Sequence, residues 1–479
     1  MWDRIDKILL GFQGVFKRKA AYRWFVILVV GMLIRSDTLG LTSVIRDMML
    51  RPQDYESMLH FFRAQSWDIS EVRNSWYKII AEQAPLYKIT SRTVMVGDGT
   101  KKAKEGRYMP GVKKLKQESE TQSKAEYIFG HLWGTVGVLI GRGDALACVP
   151  LSSRIHDGLQ AMKDWKDSTV SGLSHVVEMI RNGCEAAQFF MSNSLIVLDR
   201  YFLSVPALLE LQEQNKRNAR KMDIITRAKK SVVAYQEPVL EPGKRGRKPK
   251  KGAKVILAEL FQEKEESFSE VGMELYGKTK TISFYYTDLL WGKKLYQKLR
   301  FVLIKWEDNS KGILVSTDTT LDPCTIISLY CCRFKIEFTF RTLNQHLGGF
   351  AYHFWTKAID KLQRFRKKSD PDPLDRAQSD HDKKRVMLTV RATEMYAVIS
   401  NIALGILQIL SVDSVLTKQL FPLRYQRTAP RNRPSEDSIM CFLRSHIFAS
   451  MLFTRDYHIP RLIFSPQNRI KKQIPRKIS

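Results

Sequence analysis

The run LYCCRFKIEFTFRTLNQHLGGF, residues 329–350, puts aromatics, arginines and a single carboxylate into one helix-like stretch. At about 100° per residue, Tyr330, Arg333, Glu337 and Arg341 fall on one face. An amphipathic helix ordinarily shows solvent a mixture of charges and the core an apolar stripe. Here Phe338 and Phe340 flank the polar stripe, so Glu337 is either half of a structural ion pair or a member of a reactive site. The stretch alone leaves both readings open.

The chain narrows the choice through its charge. It carries 78 Lys and Arg against 49 Asp and Glu over 479 residues, a net +29. Such an excess points to a polyanionic partner, with nucleic acid ahead of a membrane surface. It identifies a partner and not an activity. The length suits two or three domains with a sizeable core. Six cysteines lie scattered without a CxxC pair, which predicts reduced thiols and speaks against a zinc site. Of two apolar runs, WFVILVVGMLI (24–34) is too short to span a bilayer. The run at 392–412 is long enough but carries Glu394, Asn401 and Gln408, so it reads as a buried helix. No cleavable signal peptide is visible, and a cytoplasmic, nucleoid-associated protein is expected.

Along the chain, residues 1–88 read as helical, with Ser70 as the cap of one helix. TVMVGDGTKK (93–102) reads as a strand running into a Gly-Asp-Gly turn. Two further strand-like runs are joined by Arg142-Gly143-Asp144, a hairpin turn. SLIVLDRYF (194–202) is a strand with Asp199 at its end, and DIITRA (223–228) is another. This order predicts an α/β fold with a mixed central sheet over 89–228. Residues 229–320 change character into a β-rich insert, and 321–365 return to the first domain with the Glu337 helix. Residues 366–479 form a basic C-terminal region.

Three acids stand out by placement: Asp98 and Asp199 at strand ends, and Glu337 on a helix. In a mixed sheet the first and fourth strands can be neighbours, and a helix laid across them brings the third acid close. Carboxylates on rigid elements suit Mg²⁺ or Mn²⁺, which take their remaining ligands from water and phosphate. Taken singly, each acid is more simply an ordinary turn or surface residue.

Together, VGDGT, IVLDRYF and the pattern Tyr330–x2–Arg333–x3–Glu337 resemble the signature of insertion-sequence DDE transposases. That family has a ribonuclease H-like catalytic domain interrupted by a β-rich insert. The resemblance implies Asp98, Asp199 and Glu337 as catalytic, metal-binding residues for two Mg²⁺ or Mn²⁺ ions. It implies Tyr330 and Arg333 as phosphate contacts, and a homodimer on double-stranded DNA that cuts element ends and joins them to a target. The N-terminal helices would then help recognise the ends, and the C-terminal region would bind DNA or a second subunit. Where the family has lysine this chain has Asn344, with Arg341 one turn earlier on the same face. The resemblance also implies that a tryptophan of the insert stacks on a flipped base. Trp306 is better placed for this than Trp291, although packing is the plainer role for either.

Arg245 and Arg247 flank Gly246 in a basic loop that resembles a minor-groove hook, but Lys248 stands where that motif has proline. Non-specific phosphate contact is the simpler reading. His131 reads as a core histidine in a strand. The competing functions are a ribonuclease H-like nuclease without strand transfer and a non-catalytic DNA-binding descendant. The second sits poorly with three acids all present.

Overall fold

The computed structural model describes residues 1–479 apart from 39, 118–124, 240–247, 276, 364–369, 418–432, 454–458, 460–461 and 464–479. Arg245 and Arg247 therefore lie outside the described residues.

Among the described residues the architecture is mixed α/β around a 13-stranded sheet. At its centre three antiparallel strands, Arg92–Ala103, Tyr127–Ile140 and Ala147–Ile155, are joined by parallel Ser194–Leu198 and Met222–Arg227. Ser194–Leu198 is an unbroken apolar run after its first residue and is buried throughout, as a strand covered on both faces must be. The 142–144 stretch does form part of the connection between two antiparallel strands, with a short 3-10 turn at Gly143–Ala145.

The β-rich segment extends this same sheet. Lys311–Ser316 pairs antiparallel with Met222–Arg227, and Gln297–Trp306 and Lys278–Trp291 follow outward. Along Gln297–Trp306, Val302 and Ile304 join the main core, while Phe301 and Leu303 join a second core with Ala234, Leu257 and Phe261. Strand alternation thus ties the two cores together through one strand.

Helices from both ends of the chain close the main core. Lys19–Ile34 packs on Asp380–Val412, which in turn crosses Ala147–Ile155. The long helix is apolar enough to cross a membrane, yet 94% of its apolar window is buried by protein. Arg35 ends the first of these helices, fully buried, and donates to Leu347 O (2.8 Å), Gly40 O (2.9 Å), Ser43 Oγ (2.7 Å) and Tyr396 Oη (3.3 Å). A buried guanidinium is tolerable only with its donors satisfied in this way.

Three local expectations change. Asp68, not Ser70, caps the helix Ile69–Gln83, accepting from the backbone N–H of Ser70 (2.8 Å) and Glu71 (3.3 Å). Gly-Asp-Gly is no turn: the strand runs straight through it, with Gly97 opposite Val136 and Gly99 opposite Gly134. The stretch around Glu337 is two helices, Pro323–Cys332 and Lys335–Gln345. Between them the backbone tightens to three-residue bonds from Arg333 to Tyr330 and from Ile336 to Arg333 (3.1 Å each).

Candidate active site

The acids meet because of strand register. Arg92–Ala103 and Ser194–Leu198 pair in parallel up to Gly97 opposite Leu198. Asp98 and Asp199 are each the next residue, so they leave the paired region side by side. Asp98 is thus mid-strand, and the strand carrying it continues beyond the end of its neighbour. Asp199 is fixed through its backbone carbonyl, which accepts from Thr226 Oγ1 (2.8 Å) on the next parallel strand.

The break between the two helices aims Arg333 inward. Its Nη1 donates to Asp98 Oδ2 (3.0 Å) and its Nη2 to Glu337 Oε1 (2.7 Å). Asp98 Oδ1 takes the backbone N–H of Gly99 at 2.7 Å. Burial pushes the Asp98 carboxyl up to about 6; Arg333 and the Gly99 N–H work against this, and Asp199 and Glu337 add to it. Burial opposes the charge on Arg333, but Asp98, Tyr330, Asp199 and Glu337 together hold its pKa above the ordinary value. The Tyr330 hydroxyl is raised chiefly by burial, with Arg333, Asp199, Arg227 and Asp98 all close enough to act on it. Five of the residues singled out in the sequence therefore form one electrostatic unit.

Others fall elsewhere. Arg341 is exposed and lies 4.8 Å over the Phe338 ring. Asn344 turns back on its own helix, its Nδ2 donating to Phe340 O at 2.9 Å. Trp306 is partly buried against the main core. His131 is a buried strand residue whose Nε2 meets Pro110 O at 2.9 Å. Arg227, beside Tyr330, was not singled out; its one signal is a cation at the end of the strand next to that of Asp199.

The donor chemistry of the three acids suits a hard divalent cation. Among the described residues, however, no three of His, Cys, Asp and Glu are drawn together closely enough to ligate one. Arg333 stands between two of the acids, bonded to both, and its single positive charge offsets part of theirs.

No family model matches the chain, and no curated protein matches it. Among solved structures it is similar to the cryo-EM structure of the piggyBac transposase synaptic complex with hairpin DNA. The identity is 11% and the TM-score 0.32, over 85% of this chain and 74% of that one. At that distance the likeness assigns no residue and no activity to this chain.

Proposed function

We propose that the chain is a DDE transposase, with a ribonuclease H-like catalytic domain, that cuts DNA at the ends of a mobile element and joins them to a target. The observation that carries this reading is the Arg333 guanidinium held between Asp98 and Glu337, with Asp199 and Tyr330 beside it. A guanidinium fork recognises phosphate with the same paired N–H donors that it offers a carboxylate. A DNA phosphodiester would therefore replace the carboxylates at Arg333, and Tyr330 would add a hydroxyl donor.

That exchange would free Asp98 and Glu337, with Asp199, to hold Mg²⁺ or Mn²⁺, two ions in the scheme that the resemblance implies. Bound there, the ions would supply charge neutralisation and Lewis acidity for phosphodiester displacement. The ribonuclease H-like reading draws support from three antiparallel strands followed by two parallel ones, with two acids leaving neighbouring parallel strands. The net +29 supports double-stranded DNA as partner, and a homodimer would bring two ends together.

A nuclease that hydrolyses without joining is the second reading, because the same acids would serve either step. Incubating the full chain with Mg²⁺ and the DNA flanking its own gene separates them. Nicked ends and joined products are expected. Nicks without joining would favour the nuclease, and intact DNA would overturn both.

A further inference from the structure

Behind the Asp98 strand, on the face away from Arg333, lies a pair of histidines that the site above does not use. Asp98 is followed by Gly99, whose cross-strand partner is Gly134. Each glycine makes room for one imidazole. A Cβ on Gly99 would come within 2.7 Å of His175 Nε2, and one on Gly134 would run into the His156 ring. Two side chains are thus missing from the sheet where the two rings sit.

The hydrogen bonds fix the tautomers. Asn182, buried, donates its Nδ2–H to His156 Nε2 at 2.9 Å. His156 Nε2 is then the acceptor, so its Nδ1 carries the proton and donates to His175 Nδ1 at 2.7 Å. His175 Nδ1 being an acceptor, its hydrogen is on Nε2. Burial holds His175 down at about 4, with Asp157 and Lys101 as lesser influences, so the ring is neutral near pH 7.

Unlike its partner His156, His175 is only half-buried. Its ring stands 5.3 Å from Phe202 and 6.0 Å from Tyr201, in the turn just after Asp199, and Tyr201 is 59% exposed. Parallel pairing stops at Gly97, so from Asp98 onward the strand edge facing that turn has no strand partner among the described residues. This unpaired edge lies between the side chains that pack on the two faces of the strand. Arg333 approaches it from one and His175 from the other.

We propose that His175 Nε2–H is a neutral hydrogen-bond donor to a DNA phosphate at this edge, with His156 and Asn182 as the positioning residues that fix its proton. The inference rests on the DNA reading above.

The test is binding of the full chain to a fluorescein-labelled random-sequence duplex, measured by anisotropy over a range of salt. The wild-type chain should bind with steep salt dependence. His175→Ala should bind about tenfold more weakly, as expected for a lost hydrogen bond to a charged group. It should do so with an unchanged salt slope, because a neutral donor releases no counterion. His175→Gln, which keeps an N–H donor, should recover part of the loss. Nitrogen-15 spectra of the wild type should show His175 protonated at Nε2.

Equal binding by wild type and His175→Ala would overturn this inference and leave the DNA reading standing. So would a shallower salt slope, or a loss that tracks a lower melting temperature and is not recovered by Gln. A wild-type chain that ignores the duplex would overturn both.

Discussion

The acid site and the paired helices Lys19–Ile34 and Asp380–Val412 belong to one fold but follow opposite rules. At the site, Arg333 bonds Asp98 and Glu337 with Asp199 acting on both it and Asp98, and burial pushes the Asp98 carboxyl up to about 6. Between the helices, every residue from Phe25 to Ile34 is buried, and the few polar groups serve packing. Ser400 Oγ, for example, lies 3.3 Å from Met32 Sδ on the facing helix. Electrostatic strain is kept where function is proposed and apolar burial where it is not. Substitutions in the two regions should therefore separate activity from stability.

The largest effect is expected at the site. Asp199→Ala should lower DNA cleavage by at least roughly 10²–10³-fold, the scale on which single charge-stabilising groups act in catalysis. DNA binding should survive, since lysine and arginine contacts with phosphate dominate it. A melting curve and a gel of nicked products on the same preparation test this. Near-normal cutting would break the assignment.

The core counterpart is Trp76. It is fully buried, its Nε1 donates to Pro150 O at 3.0 Å, and its ring fills the space that a side chain at Gly405 would take. Trp76→Ala should cost about 3–5 kcal/mol in denaturant unfolding. Gly405→Ala should cost about 1–3 kcal/mol, because the added methyl has to displace the indole. If either variant lost cleavage while keeping wild-type stability, the division of labour drawn here would fail.

Which parts of this were legible in the sequence follows the same division. The acids could be found by type and order, and apolar runs marked the strands around them. What could not be read was direction. A period of about 3.6 continues through Arg333 whether or not the helix breaks there. The resemblance implied a phosphate contact for Arg333 and the shared helix face left an ion pair with Glu337 open, but the bond to Asp98 was not legible. Gly-Asp-Gly read as a turn because glycine usually marks one. Here the flanking glycines make room instead: a Cβ on Gly97 would meet Leu198 and Met179, and one on Gly99 would meet His175. Such a purpose depends on a partner far away in sequence. His175 and Arg227 were missed for that reason.

His131 tests the comparison from the boundary, since it is an ionisable residue housed by the rules of the core. It sits opposite Lys102 on the Asp98 strand, fully enclosed, its ring edge-on to Trp133 at 6.0 Å. Nε2–H donates to Pro110 O, while Nδ1 is buried without a partner among the described residues. Burial, helped by nearby Lys104, pushes its pKa down to about 3. The unfolded chain takes up this proton near pH 6.5, whereas the folded chain refuses it until about pH 3. Stability is therefore undiminished at neutral pH and is lost as pH falls between those values. The slope is about 1.4 kcal/mol per pH unit for one proton. His131→Gln keeps an N–H for Pro110 but cannot titrate. Its unfolding free energy should stay within about 1–2 kcal/mol of wild type at pH 7, and its decline below pH 6 should be shallower by about one proton's worth. Parallel pH profiles for the two chains would show that His131 charges readily in the folded state, and would place it with the site instead of the core.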